Sequence, residues 1–176
     1  LYEYLMVHEL TPVWDDDNYT QGDKIRYYGL RGYTEYHASQ NELMYLLGLC
    51  KTADEKFSMK TKIEVLAGEI TVEEYVELKR QHASELFASS LFTQDVEVMI
   101  SSLGALFNYF GLRSICKMYS FDYEEIVDNS AFLQRLSTME FVTFNQMMQG
   151  WLDETSINTI INGFACVENR LLSYIR

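Results

Sequence analysis

From Val98 to Leu112 the chain reads VMISSLGALFNYFGL, fifteen residues without a charge, bounded by Asp95 and Glu97 on one side and Arg113 on the other. A bilayer span needs about 20 mostly apolar residues, and Ser101, Ser102 and Asn108 interrupt this run. A helix that is apolar on most sides has to be buried, so the stretch predicts a central helix covered by amphipathic neighbours. Thr93, with Asp95 and Glu97 in the first turn, marks its start, where acids complement the helix dipole. Gly104 offers a place for close approach, and Gly111 predicts an end or a kink before Arg113.

The flanking patterns are helical too. Tyr2 to Leu10 forms a short helix that Pro12 stops, followed by a polar, turn-rich stretch, VWDDDNYTQGDK. Glu35 to Leu49 places Tyr36, Leu43, Tyr45, Leu46 and Leu47 on an apolar face. Ile63, Val65, Leu66 and Ala67 read as a short helix closed by Gly68 in a left-handed cap. Thr71-Val-Glu-Glu74 is a capping box opening a helix toward Ser89 or Ser90. Asp122 to Val127 reads as a helical turn, and Ser130 caps a helix to Gln149 that Gly150-Trp151 breaks. Thr155 or Ser156 opens the last helix, in which Ile157, Ile160, Ile161, Phe164, Val167, Leu171 and Leu172 follow helical spacing. The expected fold is all-α: one domain over residues 1–176, a bundle of roughly seven helices around a buried central helix, with a polar loop near 12–33.

Composition supports a packed domain. The chain has 176 residues and is 48% apolar, which disfavours disorder, and its single proline and nine glycines are too few for a many-stranded sandwich. Twenty-six acids against fourteen bases give a net charge of −12, which argues against a general nucleic-acid binder and suits a basic partner or simple solubility. Cys50, Cys116 and Cys166 are scattered and odd in number, as expected of buried thiols in the cytoplasm or another reducing compartment. There is no secretory signal or membrane-spanning run, and Leu1 in place of an initiator methionine fits a fragment of a longer chain.

Candidate chemistry is sparse. His82 and Glu85 share a helix face, and pooled with Glu35 and His37 they define a two-histidine, two-carboxylate metal reading. Neither His-Glu-x-x-His nor paired Glu-x-x-His motifs are present, and satisfied or surface histidines are the simpler account, so no cofactor or metal is expected. Asp15, Asp16 and Asp17 fail as a calcium loop: position six is Thr20 and position twelve is Arg26, where Gly and an acid are required. Lys24, Arg26, Tyr27, Tyr28, Arg31, Tyr33 and Tyr36 interleave bases with aromatics, but acidic flanks favour packing or a protein contact over nucleic acid. Met118, Met139, Met147 and Met148 fill a core or line an adaptable groove.

Three segments raise the groove reading: Leu66-Ala-Gly-Glu69 before a helix, Asn108-Tyr-Phe-Gly-Leu-Arg113 closing the central helix, and Trp151-Leu-Asp-Glu154 after the next long one. Their order and spacing resemble the Bcl-type apoptosis regulators, over Ile63 to Ile161. That family carries a contiguous Asn-Trp-Gly-Arg motif at a groove that accepts an amphipathic helix. Here Tyr109 replaces the Trp, Phe110 is interposed, Leu112 separates Gly111 from Arg113, and Thr155-Ser156 stand where paired glycines follow the later Trp. The resemblance implies a non-enzymatic protein-interaction module, of a type that viruses also encode. Its groove would use Val98, Leu106 and Phe110 as floor and Asn108, Gly111 and Arg113 at the border, with Arg113 as the ionic contact and Trp151 as a further partner-binding residue. The alternatives are an acidic immunity- or antitoxin-like inhibitor masking a basic surface, a viral or phage structural subunit, and a metal-dependent helical enzyme.

Overall fold

The computed structural model describes residues 21–49, 56–90 and 96–124. In order these form helix α1 (Gln21–Leu46), strands β1 (Lys62–Val65) and β2 (Gly68–Thr71), helix α2 (Val72–Ser90) and helix α3 (Val96–Tyr119). Mostly helical is therefore correct, but the seven-helix, all-α bundle is not: the described residues hold three helices and a two-stranded antiparallel sheet. None of these helices is long and apolar enough to cross a membrane. The expected helices at Tyr2–Leu10, Ser130–Gln149 and beyond Thr155 lie outside the described residues, as does Trp151.

Helix α1 starts fourteen residues before the expected Glu35, so the polar loop near 12–33 is helical over its last part, 21–33. Gly22, Gly29 and Gly32 each weaken a helix by about 1 kcal/mol relative to Ala, which is why this stretch reads as a loop. Burial outweighs that cost: Tyr33, Tyr36, Leu43 and Met44 recur at helical spacing and all enter the core. The helix closes at a left-handed Gly48 (φ +64°). Leu49 N–H donates to Met44 O at 2.9 Å and Gly48 N–H to Tyr45 O at 3.0 Å, the paired bonds of a Schellman end.

Residues 62–71 are a hairpin where the apolar run predicts a helix. Ile63 pairs with Ile70 and Glu64 with Glu69, and the strands reverse through Leu66 and Ala67. Lys62, Ile63, Glu64 and Val65 alternate between solvent and core, the two-residue period of a half-buried strand. Leu66 and Ala67 keep negative φ, so Gly68 completes the turn at φ +119°, a conformation L side chains rarely adopt. Gly68 does hold the left-handed half of backbone space, but as a hairpin residue rather than a helix cap. Glu64 faces Glu69 directly, and Lys62, diagonal to Glu69 at 2.5 Å, offsets that like-charge pair.

The capping box forms as expected. Thr71 N–H donates to Glu74 Oε2 at 2.8 Å, and Glu74 N–H to Thr71 Oγ1 at 3.2 Å, so hairpin and α2 are joined without a linker.

Helix α3 packs between α1 and α2, and every residue from Tyr109 to Cys116 is buried. The burial that the uncharged run predicts holds from Leu106 onward, whereas Ser101 in its first half is exposed. The helix does not end at Gly111, however, but continues to Tyr119. The close approach also falls at Gly111 and not Gly104: a Cβ on Gly111 would lie 2.3 Å from Tyr36 O, whereas one on Gly104 would meet only the Glu35 carboxylate at 3.8 Å. With the backbones this close, polar side chains satisfy one another across the α1–α3 contact. Ser39 Oγ donates to Asn108 Oδ1 (2.6 Å), Gln40 Nε2 to Ser114 Oγ (2.8 Å), and Ser114 Oγ to Gly111 O (2.7 Å). Cys116 is a buried free thiol, pushed by desolvation up to about 12, which fits a packing role.

Candidate interaction site

The residues expected around a groove are mostly interior. Leu106, Phe110, Gly111 and Arg113 are buried, Val98 and Asn108 are half-buried, and Trp151 lies outside the described residues. Arg113 is only 2% exposed, and its Nε donates to Tyr123 Oη at 3.1 Å. In this conformation its guanidinium offers a partner no accessible ionic contact. Asn108, held by Ser39, is the rim residue that does reach an open crevice.

The four residues of the metal reading are not gathered. His37 stacks on Tyr33 at 5.7 Å and lies 3.2 Å from Asn41 Nδ2. Glu35 and His82 line a crevice together, but no group of three or more His, Cys, Asp or Glu is placed to hold a metal ion among the described residues.

A different site comes from segments far apart in sequence. The stretch 56–61 straps the end of α3 to the start of α2. Phe57 N–H donates to Tyr119 O (3.1 Å) and Phe121 N–H to Phe57 O (3.1 Å), while Val72 N–H donates to Thr61 O (3.0 Å) and Glu73 N–H to Met59 O (2.9 Å). Asp122 locks the strap. Its Oδ2 accepts from Ser58 Oγ at 2.6 Å, and its Oδ1 from Met59 N–H and Ser120 Oγ, both at 2.8 Å. The segment expected to be a helical turn from Asp122 therefore leaves the helix, at least through Glu124.

Over this strap opens a cleft of about 650 Å³. Among the described residues, Met59, Val76 and Tyr123 supply its apolar wall, and the carboxylates of Glu73, Glu77, Asp122 and Glu124 line it with one cation, Lys60. Glu77 is engaged by Arg80, at 2.6 and 2.7 Å, and by Gln81 at 2.8 Å. Glu73 and Glu124 are exposed. In the sequence, Glu73 falls in the first turn of a helix and Asp122 opens an expected helical turn. No local signal joined them, because the strap that does so is a long-range pairing.

The acids here carry a pH signature. Asp122 is held below the ordinary carboxylate range, chiefly by the Ser58 hydroxyl and then by the Met59 amide; Glu74 is held low by the Thr71 amide and then its hydroxyl. A value lower in the folded than in the unfolded chain gives stability that is fully present above the unfolded value, about 4, and is lost as pH falls through the folded values. Urea midpoints should thus drop as pH falls below about 4, and the Glu74→Gln/Asp122→Asn double variant should flatten that slope. An unchanged slope in the double variant would reject these anchors.

Comparison with protein-family models, with curated proteins and with solved structures gives no match, so the site rests on its geometry alone.

Proposed function

We propose that this chain is a non-enzymatic interaction module that binds a basic segment of a protein partner in the cleft between the strap and α2. The observation that carries the reading is the lining itself: four carboxylates and one lysine around Met59, Val76 and Tyr123. Lys and Arg bury their methylene stems on apolar surface and keep the charged head at the rim, which is the shape of this cleft. A partner helix with Lys or Arg at i and i+4 presents two such heads on one face. The net charge of −12 adds long-range attraction for a basic partner.

Exposed ion pairs contribute about 0.2–1 kcal/mol each, so affinity comes mainly from buried stems, while the carboxylates set choice of partner and association rate. A fluorescent, lysine-rich amphipathic peptide should therefore bind with a Kd that weakens steadily as salt is raised. A scrambled-charge control of the same length should bind far less. Binding that ignores salt would overturn the reading.

A further inference from the structure

A second crevice, where α1, α2 and α3 meet, has the opposite character. Its volume is about 300 Å³, near the lower limit for pockets that hold small ligands. Arg31 comes from α1, Lys79 and His82 from α2, and Ser101 and Asn108 from α3. Each of these five side chains has a nitrogen or hydroxyl able to donate. Against them stands one dedicated acceptor, the Glu35 carboxylate. Among the lining residues, Arg31, Lys79 and Glu35 carry one net positive charge (two cations less one anion), with the Glu42 carboxylate beside Lys79 outside the lining.

One donor is held in place and another is loosely engaged. Asn108 Oδ1 is occupied by Ser39 Oγ at 2.6 Å, which fixes the amide so that its NH₂ is the end left to serve the crevice. The Lys79 ammonium sits 3.9 Å from the Glu42 carboxylate and 5.1 Å from the centre of the Tyr75 ring. Both are loose contacts that an incoming oxyanion can outcompete. Among the described residues, Arg31 and Glu35 make no ion pair, although they sit four apart on one helix. Leu86 and Ala105 add a short apolar wall.

We infer that this crevice is a binding site for a small organic oxyanion, a phosphate monoester or a carboxylate, received by Arg31, Lys79, His82 and the Asn108 amide. It shares no lining residue with the acidic cleft and does not depend on the function proposed for that cleft. The protein, isotopically labelled, is titrated with glycerol 3-phosphate, with succinate and with glycerol, and followed by the NMR resonances of His82 and Asn108.

Saturable shifts with either anion and none with glycerol support the site, and the stronger anion identifies the headgroup. No shift with either anion up to millimolar concentration, or an equal response to glycerol, overturns it. Arg31→Gln and Lys79→Gln should each weaken binding about tenfold, the scale of one charge-assisted hydrogen bond. Glu35→Gln should tighten it by removing the repelling carboxylate, and weaker binding in that variant would contradict an anionic ligand. The wild-type titration stands even if a variant folds poorly.

Discussion

Gly111→Ala should destabilise the protein by about 3 kcal/mol, at the upper end of ordinary overpacking, although alanine is the better helix former by about 1 kcal/mol. The added Cβ would lie 2.3 Å from Tyr36 O, 3.1 Å from Tyr36 C and 3.0 Å from Ser39 Cβ. Two of these are backbone atoms in the middle of α1, so no side chain can swing aside. Helix α1 has to move away from α3 as a unit, which stretches the Ser39–Asn108 and Gln40–Ser114 hydrogen bonds on either side of the contact. Urea denaturation followed by circular dichroism measures the loss. Equal or greater stability in the variant would mean that the two helices do not cross at Gly111.

Phe110→Ala should cost about 3–5 kcal/mol, the range for deleting a fully buried aromatic ring from a packed interior. Phe110 has no exposed surface, and its ring lies 5.4 Å from that of Tyr109, itself fully buried. The experiment separates two roles. A groove-floor phenylalanine, open in the free protein, would lose partner affinity on truncation with only a small change in stability. A core phenylalanine loses stability first, and Phe110→Leu, which keeps much of the volume, should recover a large part of it. A loss below about 1 kcal/mol for Phe110→Ala would place the ring outside the core.

The parts of the fold legible in the sequence are those fixed by local chemistry. Thr71-Val-Glu-Glu74 announces a capping box because both partners lie within one turn, and the uncharged run announces the burial found over its second half, Leu106 to Leu112, because a mostly apolar helix has to be covered. The hairpin was not legible. Lys-Ile-Glu-Val alternates over only four residues, and the following Leu-Ala-Gly reads as well as a helix end as it does a turn. The start of α1 was hidden by three glycines whose cost is met by tertiary burial of Tyr33 and Tyr36.

The site was less legible still. Arg113, as the first charge after the uncharged run, looks like the point where the helix meets solvent. It is instead enclosed, with Nε on Tyr123, because α3 stays buried for another turn to Cys116. Asn108 stands in a local motif, but its neighbours in the crevice, Arg31, Lys79 and His82, come from two other helices. The acidic cleft is likewise assembled by the strap at 56–61, whose backbone pairing no single-segment pattern encodes.

The central claim is that recognition lies in the acidic cleft and not along the interior helix α3. Its most direct test is the affinity of the lysine-rich peptide for the charge-reversed variant Glu73→Lys/Glu124→Lys, beside a circular-dichroism and urea check that the variant is folded under the binding conditions. Both carboxylates are exposed, but Glu73 lies in the first turn of α2, so the reversal should cost about 1 kcal/mol of stability and keep the fold, while binding falls by at least about a hundredfold as like charges replace attractive ones at the rim. Full affinity in the reversed variant would contradict the account.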